Sequence, residues 1–163
     1  PQVFIAIYGI DPRWFGLLFG LNAAALILAA QFSARLLERH PPLRLLRRAQ
    51  GMLALMTLCA LALTLMDWIT LPLLMLCLMG FMASQGFVGP NAAALALSEQ
   101  GPRLGVASAL MGALQMFCGA LAGFAVSVWH TGTPLPLTAV LAACAGLSWF
   151  FSRTAMRSTR QPA

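Results

Sequence analysis

Among its 163 residues the chain has no lysine, one tyrosine and four carboxylate side chains, and charged residues of all kinds make up 9%. Soluble domains carry roughly 25% charged residues. A chain this long with so few charges cannot cover a surface that faces water, which excludes an ordinary soluble domain. The mean hydropathy of +0.83 points the same way, and an all-α polytopic membrane protein is the class that fits. The four acids, Asp11, Glu38, Asp67 and Glu99, all fall at the ends of apolar runs. A proton-driven carrier needs a protonatable group inside the membrane, so any coupling acid lies outside these residues. There is no HExxH, no GxSxG and no pair of intramembrane carboxylates, and an enzyme has no nucleophile–base pair to rest on. The cysteines, at 59, 77, 118 and 144, are scattered through apolar runs without a CxxC spacing. They read as small residues facing lipid or another helix, with no disulfide framework, metal site or cofactor. His40 and His130 sit in loops. The chain starts without Met, a basic n-region or a small-residue cleavage site, so its beginning is not a signal peptide. It opens inside an apolar run, PQVFIAIYG, and a fragment of a longer protein is expected.

What is present is five long apolar runs. The sequence predicts spans over about 14–37, 45–66, 71–97, 104–129 and 135–151, each long enough for the ~20 residues that cross a bilayer. Asp11-Pro12-Arg13 has the chemistry of a helix start, and Pro41-Pro42 separates the first two helices. Pro90 lies within the third, so a kink or local unwinding is expected near residues 86–90. The net charge of +6 comes from arginine alone. Five arginines lie between Arg35 and Arg48, Arg103 marks the third turn, and Arg153, Arg157 and Arg160 the tail. The turns at Asp67-Trp68 and Trp129-His130 have none. This alternation puts the basic loops and the C-terminus in the cytoplasm, and it accounts for the positive charge without a nucleic-acid partner.

The stretch from Phe81 to Gln115 carries most of the information. Two apolar helices are joined by a short polar turn, Ser98 to Arg103, and are expected to form a tight hairpin. Glu99 and Arg103, four apart, read as a surface pair. The fourth helix repeats glycine at Gly105, Gly112 and Gly119, with Gly123 beyond, a stripe suited to close helix packing; Gly16 and Gly20 offer a similar face on the first helix. About 60° round the fourth helix lies a second stripe with Ser108, Met111 and Gln115. With Asn22, Gln85 and Asn91 these form the candidate set for a cavity. The residues leave two readings open. The amides and hydroxyls either hydrogen-bond a neighbouring helix, or they line a cavity, with methionine and phenylalanine, for an amphipathic or cationic organic solute.

Residues 86–97, GFVGPNAAALAL, and 105–115, GVASALMGALQ, resemble helices ten and eleven of the Bcr/CflA drug-resistance transporters, within the major facilitator superfamily. Residues 8–22, YGIDPRWFGLLFGLN, resemble the same family's entry into helix eight. The resemblance covers the whole chain, with Pro90-Asn91 and Ala107-Ser108-Ala109 as its specific parts. It implies a partial major-facilitator fold: residues 1–163 would be the C-terminal transmembrane half, the end of helix seven and helices eight to twelve. The whole would be a multi-pass exporter of the bacterial inner membrane, moving drugs or other small organic solutes by proton antiport and alternating access. Its partners would be the bilayer, the solute, protons and the N-terminal half, where the coupling acid would lie. No residue carries over as catalytic; Asn91 and Gln115 come nearest to family-typical polar positions. The alternative is a small glycine-packed oligomer or channel-like subunit without transport activity.

Overall fold

The computed structural model describes residues 8–9, 11–98, 100–129 and 132–158. The opening segment 1–7, Glu99, His130 and Arg160 lie outside the described residues. The described residues form five long helices. Helix α1 spans Pro12–Leu37; the Asp11 carboxylate accepts the Arg13 N–H at 2.9 Å, and Pro12 takes the first helical position, where a missing N–H costs nothing. Helix α2, Pro42–Leu65, also starts on a proline, three residues before the predicted span. Helix α3 is Leu71–Leu97, and a 3₁₀ turn at Gly101–Arg103 leads into α4, Leu104–Val128. Helix α5, Leu135–Ser158, runs seven residues past the predicted end. All five are long and apolar enough to cross a membrane. Asp67, between α2 and α3, adopts a left-handed φ of 54°, which a short polar side chain tolerates better than most.

Helix α3 is the hub: it packs along both α1 and α2, and α2 holds α5 on another side. Two glycines explain why α3 can serve two neighbours. A Cβ at Gly86 would lie 2.5 Å from the Leu26 carbonyl oxygen of α1 and 2.9 Å from Ala29 Cβ. A Cβ at Gly80 would lie 2.7 Å from Met56 Sδ of α2. Six residues apart on a 3.6-residue repeat, the two glycines point about 120° from each other, one toward each partner. Between helices in lipid, such close approach supplies the dispersion contact that the hydrophobic effect does not. The buried face of α2 recurs every third or fourth residue, through Leu46, Ala49, Gln50, Leu53, Thr57, Ala60 and Thr64.

Two expectations are corrected, the local unwinding at Pro90 and the tight hairpin. Helix α3 continues through Pro90 without unwinding. Proline cannot donate to the Gly86 carbonyl one turn back; the Asn91 side-chain amide donates to the next carbonyl, that of Phe87, at 2.7 Å. The second correction concerns the tight hairpin of α3 and α4. The two helices touch only sparsely, and α4 contains no buried residue. The close approaches that α3 makes, at Gly86 and Gly80, go to α1 and α2.

Candidate functional site

The polar residues of the bundle sort by depth and by helix. Asn91 is fully buried; its Nδ2 donates to Ser33 Oγ at 2.8 Å as well as to the Phe87 carbonyl. Asn22 is 8% exposed, and its Nδ2 donates to the Leu18 carbonyl at 3.0 Å and faces Met75 Sδ at 3.9 Å, a weak acceptor. Both lie on the α1–α3 seam. Pairing Asn22 with Met75, Ala29 with Gly86 and Ser33 with Asn91 in order shows that the two helices run parallel. Eleven residues separate Asn22 from Ser33, so the two amide positions are ~16 Å apart along the bundle. In each asparagine the NH₂ group is used and the Oδ1 atom is buried without a partner. A buried acceptor left unmatched costs about 1–3 kcal/mol, so two of them on one seam stand out from ordinary helix-packing amides.

The other candidates lie elsewhere. Gln85, on α3, is half-buried. On α4, Met111 is half-buried, while Ser108 and Gln115 are exposed; the Ser108 hydroxyl donates to its own helix, at the Gly105 carbonyl, 3.0 Å away. The structure therefore brings Asn22 and Asn91 to one seam and leaves Ser108 and Gln115 on the uncovered helix. The packing glycines divide the same way. At Gly16, Gly20, Gly105, Gly112, Gly119 and Gly123 a Cβ would meet nothing within 4 Å. The close contacts of the chain fall at Gly86 and Gly80, which have no neighbouring glycine at a four- or seven-residue interval to advertise them.

Three further polar residues enter the picture: Gln50, which the sequence shows as a polar residue within the apolar α2, and two serines that carry no sequence signal. Ser33 completes the Asn91 pair. Gln50 Oε1, buried in α2, accepts from Ser152 Oγ of α5 at 2.8 Å, a contact across 102 residues. Thr57, Thr64, Ser84 and Thr138 are buried but bond carbonyls of their own helices, the usual way for a hydroxyl to enter an apolar helix. Of the cysteines, Cys77 is buried and Cys59, Cys118 and Cys144 are exposed.

The ends of the bundle differ. At the Asp67 end, Tyr8 donates to the Ile69 carbonyl at 3.0 Å beside a recess of about 350 Å³ that Thr64, Asp67 and Thr133 help to line. Burial pushes the Tyr8 phenol above its ordinary range. At the arginine-rich end a cavity of about 370 Å³ opens between α1 and α2, with α3 as its floor. On α5 the Arg153 guanidinium lies 3.9 Å over the Trp149 ring, a cation–π contact at the edge of the apolar run.

No family model matches the chain and no solved structure matches it. Among curated proteins it is similar to the uncharacterized MFS-type transporter YdgK of Bacillus subtilis, 31% identical over 163 residues. The match takes in 96% of this chain and 39% of that protein, so the chain spans well under half the length of its relative. The similarity and the five apolar helices support a multi-pass membrane protein with a partial transporter fold.

Proposed function

We propose that the chain is part of a secondary carrier of the major facilitator superfamily, Bcr/CflA-like, that exports small organic solutes by alternating access. The observation that carries this reading is the similarity to an MFS-type transporter along 96% of the chain. The carrier would be non-enzymatic and would sit in a bacterial inner membrane. In this reading the unmatched Oδ1 atoms of Asn22 and Asn91 are acceptors for a donor group of the solute or for water that travels with it. The uncovered face of α4, with Ser108, Gln115 and the open glycine stripe, meets the remainder of the carrier. The acid that couples export to protons belongs to that remainder, since a proton-coupling group must lie at membrane depth. A cationic organic solute suits a site built from neutral carbonyl oxygens, methionine sulfur and aromatic rings.

Cells that make the full-length protein should accumulate less of a cationic dye than cells that lack it. Gln115→Leu and Asn22→Leu should each change which dyes are excluded while the protein remains in the membrane. Dye accumulation identical with and without the full-length protein would overturn the exporter and leave a glycine-packed oligomer, assembled through α4, as the better reading.

A further inference from the structure

We propose that the groove between α1 and α2, at the arginine-rich end, is a binding site for one anionic phospholipid. The arginine phosphate contact forms at the rim, and an acyl chain lies in the groove. The proposal is independent of which solute, if any, the protein carries.

The groove exists because of how α3 is used. Helices α1 and α2 both lean on α3 but scarcely touch each other, so a wedge stays open between them. The small residues Gly80 and Ala83 keep its floor low, and Phe87 of α3, Leu36 of α1 and Met52 of α2 help to line it. Nearly all of this lining is apolar, and the volume of about 370 Å³ is within the range of small-ligand sites, roughly 300–1,000 Å³. Arg48 is the one charged residue that lines it. Arg48 is the seventh residue of α2, ~9 Å along the helix from its start, and Met52 is ~15 Å along. The charge therefore stands near the depth of lipid headgroups and the apolar part reaches into the hydrocarbon. That is the order of parts in a phospholipid.

Charge chooses among lipids. Arg35, Arg39, Arg44 and Arg48 are all exposed at this end of the bundle, with Glu38 the one acid among them. The start of α2 has no side-chain cap and no acid in its first turn, so the positive end of its dipole adds to the field rather than being neutralised. Such a surface favours a net negative headgroup over a zwitterionic one, and a guanidinium binds phosphate through paired N–H donors. The positive-inside rule places this end on the cytoplasmic side, where anionic lipids are available to it.

The test uses the full-length protein, stripped of lipid in mild detergent and titrated with phosphatidylglycerol or with phosphatidylcholine of the same chains. Native mass spectrometry counts the lipids retained. One phosphatidylglycerol should be retained about five- to tenfold more tightly than phosphatidylcholine. Arg48→Gln should remove that preference, and Arg48→Lys should keep most of it. Arg35→Gln, an exposed arginine that does not line the groove, should leave affinity within about twofold. Ala83→Leu, which fills the floor, should weaken both lipids. Equal retention of the two lipids would overturn the proposal. So would equal losses in Arg48→Gln and Arg35→Gln, which would assign the effect to the general field of the loop. Displacement of phosphatidylglycerol by a soluble organic anion would make the groove part of a solute path, and a dimer that excludes lipid from this face would make it an interface; either result overturns the lipid site.

Discussion

Helices α3 and α4 are built from the same materials and are used in opposite ways. Both are apolar over their whole length, both carry amides and glycines, and both are long enough to span a bilayer. Helix α3 buries Leu74, Met75, Cys77, Ser84, Gly86 and Asn91, whereas α4 buries none of its residues. The regular glycine spacing belongs to α4, yet the contacts that exclude even a methyl group belong to α3. Small residues make close packing possible, and only a partner makes it happen.

The largest effect that would break or sharpen this contrast is expected from Gly86→Val. The new Cβ falls within 3 Å of Leu26 O, Ala29 Cβ and Ala30 N, two of them backbone atoms that cannot swing away. We expect a loss of about 3 kcal/mol, the upper part of the range for overpacking, measured as unfolding in detergent. Gly112→Val, where a Cβ meets nothing, should leave the 163-residue chain within about 0.5 kcal/mol. The same Gly112→Val in the full-length protein should cost more than that if α4 gains a close partner there. Equal losses at the two glycines in the short chain would erase the distinction.

A smaller effect is expected at Asn91 and Ser33. A double-mutant cycle with Asn91→Ala and Ser33→Ala should give a coupling of about 1 kcal/mol, within the range for interhelical hydrogen bonds in membranes. The matching cycle between Ser108 and its nearest helix neighbours should give no coupling, because that hydroxyl bonds its own helix. Zero coupling at the buried pair would mean that the seam rests on shape alone.

The smallest effect is expected outside the spans, at Tyr8. Its hydroxyl donates to Ile69 O, and loss of that bond in Tyr8→Phe should cost about 0.5–1 kcal/mol. The folded phenol titrates above its ordinary value because burial disfavours the charged form. Its contribution is therefore complete below pH ~10, where the unfolded phenol is still neutral, and falls away as pH rises through the higher folded value. A melting temperature of the wild type relative to Tyr8→Phe that already varies between pH 6 and 9 would contradict this assignment.

The helices themselves were legible because the sequence spells them with long apolar runs, cut by Asp11-Pro12, Pro41-Pro42 and the arginine loop. The ends of α2 and α5 were less so, since helical structure continues past the point where residues stop being apolar. The seam was half legible. Asn22 and Asn91 declare themselves by being strongly polar within apolar helices. Ser33 does not, because a serine satisfies itself in any helix and nothing in one dimension pairs it with a residue 58 positions away. Gln50 stood out in α2, but its partner Ser152 lies 102 residues on. The glycines show the limit most plainly: a repeat is visible in sequence, while Gly86 matters for what stands opposite it in space.

The contact at Gly86 has a mechanical meaning. With a backbone carbonyl of α1 where the side chain of residue 86 would be, and an amide–hydroxyl clasp one turn further along, α1 and α3 have no clearance to slide or twist past each other. Within this chain the two helices are therefore held as one unit, and parting them would mean moving backbone rather than turning a side chain.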